Sequence, residues 1–111
     1  KNRIANDWAY FVLLFSYLEG HINEQCKHIV KQKRESKDWR DRRYWDTVGD
    51  ISRITFKNRV SYLIDKSKED YKKIIDFYKI RCDLAHGGLS RPVHVPTFIS
   101  ALQKYIAILK A

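Results

Sequence analysis

Arg81 and His86 are the residues of this chain whose types and spacing best fit a chemical reaction. They lie in the stretch IRCDLAHGG, with four residues between them. The planar fork of an arginine binds phosphate oxygens in a bidentate manner and stabilises negative charge that develops on them. A histidine exchanges protons near neutral pH and can therefore act as a general base or acid. RNA carries its own nucleophile, the 2′-hydroxyl, so such a pair could cleave RNA without a metal ion.

The same stretch also has a simpler explanation as the last turns of an amphipathic helix. A histidine near a helix C-terminus interacts favourably with the helix dipole, and Gly87 suits the left-handed position that follows a helix. Five positions along a regular helix place two side chains about 140° apart, so Arg81 and His86 would not converge closely. They could meet if the ring of His86 turned at the helix end, or if a second copy packed the same helix about a two-fold axis.

Few other residues form a catalytic pattern. The four histidines show no metal-ligand spacing with cysteines or carboxylates, so the sequence predicts no metal and no cofactor. Glu19 is a carboxylate within an apolar stripe. Either Leu18 does the packing while Glu19 lies at the edge, or Glu19 serves an interface or a catalytic neighbour. Gly20 beside it would let another backbone come close.

The two cysteines, Cys26 and Cys82, occupy apolar positions of predicted helices. We expect buried free thiols rather than a disulfide scaffold, because a chain of this length can bury a core without cross-links. Free thiols favour a reducing compartment, so the predicted location is the cytoplasm. The chain starts at Lys1 rather than at methionine, which leaves a trimmed start and a targeting segment open.

Composition and charge narrow the class of protein. The length of 111 residues predicts one domain over 1–111. The formal net charge of +9 favours a polyanionic partner, namely RNA, DNA or an anionic membrane surface. A basic protein without a nucleic-acid partner is the alternative. No apolar run approaches the roughly 20 residues of a membrane-spanning helix, so the sequence predicts no membrane span.

The segment 31–45 reads KQKRESKDWRDRRYW and combines basic with aromatic residues. Its weak periodicity predicts a loop, extending over 31–50, with room for one irregular helical turn. Cations bind phosphates and aromatic faces stack on bases, so the composition suits single-stranded RNA. The alternative is a solvated loop whose tryptophans fold back onto the core. The candidate RNA-binding residues are Lys37, Trp39, Arg40, Arg42, Arg43 and Trp45.

Apolar residues at three- and four-residue steps predict an all-α fold, a four- to five-helix antiparallel bundle. The first helix begins at Asn6 or Asp7, either of which can cap it, and runs to about Gln32. The second, near 56–64, is the least regular, and 51–56 could enter it as extended chain. The third runs from a cap at Ser67 to Gly87 and the fourth from about Pro96. The third presents the apolar residues Tyr71, Ile74, Ile75, Tyr78 and Ala85; the fourth presents Phe98, Leu102, Tyr105, Ile106 and Leu109.

The pair Arg81 and His86, at the end of a helix in an all-helical domain, resembles the motif of the HEPN superfamily (higher eukaryotes and prokaryotes nucleotide-binding). That motif is an arginine, four to six residues, and a histidine. The stretch YFVLLFSYLEGHINEQC also resembles the opening helix of prokaryotic members, where an acid followed by a small residue recurs. The resemblance implies a homodimer with a shared cleft and metal-independent endoribonuclease activity. It further implies a toxin or anti-phage role, often with a protein antitoxin.

Carried onto this chain, the resemblance makes His86 the general base or acid and Arg81 the group that binds the scissile phosphate. Asp83 would orient one of them, and Glu19 would be a fourth member of the site. The expected dimer uses the face of the third helix. One departure is Cys82, because many active members carry a polar residue directly after the arginine.

Two other functions are therefore kept open. In the first, the chain is a HEPN module that binds RNA or a protein without cleaving. In the second, it is a basic helical nucleic-acid-binding domain in which Arg81 and His86 never meet.

Overall fold

The computed structural model describes residues 2–87 and 93–110, with side chains from residue 6 onward. Every regular element in these ranges is helical, which confirms the all-α class and the expected four or five helices. The helices are α1 (Asn2–Arg34), α2 (Trp39–Val48), α3 (Phe56–Ser61), α4 (Glu69–Ala85) and α5 (Val95–Ile108), with one 3₁₀ turn at Ile51–Arg53. At 33 residues, α1 is about 50 Å long and sets the longest dimension of the molecule, 57 Å.

Contacts along α5 fix the directions of the helices that pack on α1. Phe98, near the start of α5, packs on Phe11 with ring centres 4.8 Å apart. The carbonyl of Leu109, just beyond the end of α5, lies 2.7 Å from Nε2 of His21. The helix α5 therefore runs parallel to α1, because residues later in α5 contact residues later in α1. The expected antiparallel arrangement does not hold for this pair of helices.

The helix α4 runs in the opposite direction to both. Asp70 at its start accepts a hydrogen bond from Lys104 near the end of α5, at 3.1 Å. Phe77, two turns later, packs on Phe98 with ring centres 4.7 Å apart. The C-terminal end of α4 consequently lies beside the first turns of α1, and this places Arg81 and His86 at that end of the bundle.

The core lies between one face of α1 and the helices α3, α4 and α5. Phe11, Phe15, Leu18, Ile22 and Cys26, at three- and four-residue steps on α1, are all fully buried. Burying a side chain of this size contributes about 1.5–3 kcal/mol, so this stripe holds the bundle together. Trp8, Val12 and Ile29, which also follow three- and four-residue steps along α1, are only half-buried.

Several expected helix ends are found where the sequence placed them. Gly87 adopts a positive φ of 73° directly after α4, which relieves the strain that a β-carbon would suffer there. Pro96 lies in the first turn of α5, and Glu69 and Asp70 lie in the first turn of α4. The entry to α3 is a 3₁₀ turn followed by extended backbone at Ile54 and Thr55.

Other local predictions are wrong. Asn6 and Asp7 cannot cap α1, because the helix already begins at Asn2. Ser67 does not cap α4. Its backbone N–H donates to Asp65 at 3.0 Å, and Lys68 occupies the cap position without a side-chain bond. Ala85 is exposed rather than on the buried face.

The basic aromatic segment forms a helix, α2, where a loop was expected. Asp38 caps it by accepting a hydrogen bond from the backbone N–H of Arg40 at 3.0 Å. The helix is only ten residues long and contains no buried residue, so its apolar residues span few turns over which a periodicity could reveal it. Arg34 donates to the carbonyls of Trp45 and Gly49, at 3.2 and 2.8 Å, and so ties α2 to the C-terminal end of α1.

Candidate functional site

Arg81 lies in the last turns of α4 with its side chain partly buried. Its Nε atom is buried and has no hydrogen-bond partner among the described residues, a state that it shares with Nε of Arg59 and Nε1 of Trp8. Burying an N–H group without a partner costs free energy comparable to a lost hydrogen bond, so such atoms are few in native proteins. A ligand could satisfy this Nε only after a local movement of the side chain, because the atom has almost no exposed surface.

His86 occupies the cap position of α4 and is exposed. Its backbone N–H donates to the carbonyl of Cys82 at 3.1 Å, which closes the last helical turn and leaves the ring at the surface. No hydrogen bond joins Arg81 and His86 within the part of the chain that the structure describes. A single chain thus presents a partly buried cation and an exposed imidazole at the same end of the bundle without bringing them into contact.

The two residues that follow Arg81 have different environments. Asp83 is exposed on α4. Cys82 is half-buried rather than buried as expected, and its thiol is free. The hydrogen bond between Cys82 and Tyr78, with burial, raises the pKa of Tyr78 above its ordinary value. Cys82 therefore packs against the bundle and does not offer the polar group that many HEPN members carry at that position.

Glu19 has an ion-pair partner, Arg59, which is not among the residues predicted for the site. Its Oε2 lies 3.9 Å from Nη2 of Arg59, and these side chains are 27% and 13% exposed. Arg59 also donates to the amide oxygen of Asn23, one turn beyond Glu19 on α1. Leu18 is fully buried, so it does the packing while Glu19 lies at the edge of the stripe.

Only part of the surroundings of Glu19 can be predicted from the local sequence. Glu19 and Asn23 are four residues apart on α1, a spacing that places both on one face of a helix and can be read from sequence. Arg59 comes from α3, and nothing in the local pattern of either helix pairs them. The pair lies near Tyr78. The hydrogen bond to Cys82 and burial have the largest effects on the pKa of Tyr78. The charge of Glu19 raises this pKa further and the charge of Arg59 lowers it, both by smaller amounts.

The exposed face of α2 forms the basic aromatic surface, which we define by Trp39, Arg40 and Arg43. Trp39 is 54% exposed. The guanidinium carbons of Arg40 and Arg43 lie 5.5 and 5.0 Å from the centre of its ring, within cation–π distance. An indole flanked by two cations can stack on an unpaired base while the cations bind the adjacent phosphates.

The other predicted RNA-binding residues divide into exposed and structural ones. Lys37 is exposed beside the surface. Arg42 is exposed too, and it donates to the carbonyl of Ser36 at 3.3 Å. Trp45 is half-buried and packs edge-on against Tyr62, with ring centres 5.5 Å apart. One tryptophan of the segment therefore folds back onto the bundle, as the alternative interpretation expected, while Trp39 does not.

The basic aromatic surface and the Arg81/His86 end lie at opposite ends of α1. Phe11 is level with Phe77 of α4, with ring centres 6.0 Å apart. Arg34, which holds α2, lies 23 residues further along, or about 35 Å at the rise of an α-helix. Within one chain, the residues predicted to hold RNA and those predicted to cleave it cannot contact the same nucleotide.

A groove of about 470 Å³ lies between α4 and α5. Its floor is apolar and includes Phe77, Ile80 and Phe98, while Lys73 and Lys104 lie at its rim. Neither Arg81 nor His86 lines it. The groove is therefore a gap between the two helices and is not part of the candidate cleavage site.

Replacing Trp39 by alanine should weaken the binding of single-stranded RNA by roughly 5- to 150-fold, the effect of losing about 1–3 kcal/mol of base stacking. Fluorescence anisotropy with a labelled oligonucleotide at fixed salt measures the change. Trp39→Phe is the matched control, because it keeps an aromatic face and should retain most of the affinity. Equal affinities of Trp39→Ala and the unaltered chain would show that the surface does not bind bases.

No family model matches the chain, and neither a curated protein nor a solved structure matches it. Over residues 2–87 and 93–110, no group of three or more His, Cys, Asp and Glu side chains is arranged to hold a metal ion. None of the helices in those ranges combines the length and apolar character that crossing a membrane requires.

Proposed function

We propose that this chain is a metal-independent endoribonuclease of the HEPN type, with a site at the C-terminal end of α4. The observation that carries the proposal is the state of Arg81, a partly buried arginine whose Nε has no partner within residues 2–87 and 93–110. An arginine held by packing alone, beside an exposed histidine at the same helix end, is suited to receive a phosphate. His86 would take the proton of the 2′-hydroxyl, and Arg81 would stabilise the charge that develops on the phosphate.

No hydrogen bond joins Arg81 to His86 within the described residues, and five positions on a helix lie about 140° apart around its axis, which is the reason to propose a site made by two copies. If the ends of α4 from two chains met about a two-fold axis, each arginine could face the histidine of the other copy. Asp83, exposed between them in sequence, would then orient one of the two groups. Glu19 already has Arg59 as its partner, so we assign it a structural role rather than a catalytic one.

RNA is the substrate class that fits the rest of the surface. The net charge of +9 attracts a polyanion, and Trp39 with its two arginines suits unpaired bases. Because the basic aromatic surface lies about 35 Å along α1 from the level of Phe11, it would hold the RNA several nucleotides away from the cleaved bond. A cytoplasmic toxin or anti-phage effector, controlled by a protein antitoxin, is the role this activity suggests.

The proposal is tested by incubating the purified chain with single-stranded RNA in EDTA. Cleavage should proceed without divalent metal and leave 2′,3′-cyclic phosphate ends, because the 2′-hydroxyl is the nucleophile. An oligonucleotide with a single 2′-deoxy substitution should resist cleavage at that position only. Loss of cleavage in EDTA, or cleavage of the deoxy-substituted bond, would contradict the mechanism.

A second candidate function is an RNA-binding module that does not cleave. It is favoured by Cys82, which is half-buried and leaves no polar side chain directly after Arg81. In the same assay this function predicts retention of RNA by the basic aromatic surface, with decay of the RNA no faster than in buffer.

A further inference from the structure

The side of α1 that faces away from the core carries an apolar seam that no described residue of the chain covers. We define the seam by Tyr10, Leu13, Tyr17 and Gly20, which are 3, 4 and 3 residues apart. The three large side chains are 61%, 67% and 66% exposed. A β-carbon placed on Gly20 would meet nothing within 4 Å, so the close approach expected at this glycine is not made within the chain.

The spacing of the seam is that of helices that pack along one another. Residues at alternating three- and four-residue steps form the a and d positions of a coiled-coil seam. A hollow of about 190 Å³ lies on the same side of α1, lined by Asn6, Ala9, Tyr10 and Leu13. These four residues stand at i, i+3, i+4 and i+7, the arrangement of the holes that receive a knob from a facing helix.

Charge indicates which partner fits the seam. The chain has 22 lysines and arginines, yet none lies between Arg3 and Lys27. RNA or an anionic membrane would require cations at its binding surface, so neither is attracted here. Two copies of a chain with a charge of +9 repel each other elsewhere, whereas this part of α1 offers a surface free of that repulsion.

We propose that a second copy of this chain packs on the seam, joining two bundles back to back along α1. The surface is self-complementary, because the partner presents the same tyrosines and leucine as knobs and the same hollow. Tyr and Leu side chains at two-thirds exposure supply on the order of 400 Å² per copy, about half of a standard interface. The flanking small residues would add the rest, so the dimer should depend on concentration.

The back-to-back contact goes beyond the proposed function and does not depend on it. The seam lies on the opposite side of α1 from the buried stripe, and α4 packs on the buried side. The Arg81/His86 end of each copy therefore stays accessible to RNA or to a further copy. No exposed large apolar side chain is found on α4 within the described residues, in contrast to the seam.

The test is the mass of Leu13→Lys measured by sedimentation equilibrium over a range of concentrations. The full chain, freed of RNA and kept in about 1 M salt to screen repulsion, should approach at least twice its 13.3 kDa mass. The variant should reach half the mass of the unaltered chain, which is one copy if the α4 ends do not pair and two copies if they pair as in the proposed function. Ile99→Lys is the matched control, since it places the same charge at an exposed apolar position of α5 and should dimerise normally.

The masses and the RNA cleavage together separate this proposal from the proposed function. A Leu13→Lys variant that keeps the full mass of the unaltered chain, or an unaltered chain that is monomeric throughout, contradicts packing on the seam. A second variant, Tyr17→Lys, guards against a local effect of one substitution, because it must give the same loss of mass. RNA cleavage is assayed on the same samples. Its presence or absence tests the proposed ribonuclease activity and does not alter the conclusion about the seam.

Discussion

Replacing either Arg81 or His86 by alanine is expected to lower the rate of RNA cleavage by about 10²- to 10³-fold, the usual effect of removing a group that stabilises the transition state or transfers its proton. Both variants should remain folded. Arg81 forms no ion pair within the described residues, and its buried Nε has no partner to lose. His86 is exposed, so its ring contributes little packing. Single-turnover cleavage and circular dichroism on the same preparations measure the two effects.

The matched control for Arg81 is Lys79→Ala. Lys79 is an exposed cation two residues earlier on α4, so its loss changes the net charge by the same amount without touching the site. Its cleavage rate should stay within about threefold of the unaltered chain, as expected for an exposed charge screened by salt. Arg81→Lys should recover only part of the rate, because lysine keeps the charge but lacks the planar fork. Unchanged cleavage in Arg81→Ala or His86→Ala would show that the end of α4 is not the cleavage site.

Arg59→Ala is expected to cost about 2–3 kcal/mol of unfolding free energy, somewhat less than breaking a fully buried pair because both side chains are partly exposed. The substitution leaves the carboxylate of Glu19 and the amide of Asn23 without their shared partner. It also removes the guanidinium that lies 5.8 Å from the ring centre of Phe56. Urea unfolding followed by circular dichroism measures the loss, with the slope of the transition checked for two-state behaviour.

The comparison for Arg59 is Lys104→Ala, which breaks another ion pair between helices. Lys104 and Asp70 are 3.1 Å apart, but the lysine side chain is 59% exposed, so its loss should cost at most about 1 kcal/mol.

The substitution Glu19→Gln tests whether Glu19 contributes to stability or to catalysis. We expect a loss of stability with cleavage retained. A folded and fully stable Glu19→Gln variant that has lost cleavage would show that Glu19 acts in catalysis.

The helices that pack on the core could be predicted from sequence because each carries an apolar stripe. Phe98, Leu102 and Tyr105 are buried as the periodicity of α5 predicts. Gly87 ends α4 because only a residue without a β-carbon adopts its backbone conformation without strain. These features depend on residues within a few turns of each other, which is the range over which a sequence pattern carries information.

The features that could not be predicted depend on contacts between distant parts of the chain. The helix α2 is only ten residues long and none of its residues is buried, so it offers few turns over which a periodicity can be read; Asp38 as its cap was the available local signal. The partner of Glu19 lies 40 positions away, at Arg59, and periodicity does not pair helices. The antiparallel course of α4, which places Arg81 toward the first turns of α1 and away from α2, follows from packing against α5 and is invisible to a local pattern.

The lack of buried residues in α2 has a consequence for how the chain would take up RNA. A helix of ten residues is only marginally stable on its own in water, so α2 should open and close far more readily than the core, with fast amide hydrogen exchange. The apparent affinity for a ligand is the intrinsic affinity multiplied by the fraction of molecules in the binding-competent conformation. Removing the cap at Asp38 would therefore weaken RNA binding through the coil–helix equilibrium, although Asp38 itself need touch no nucleotide.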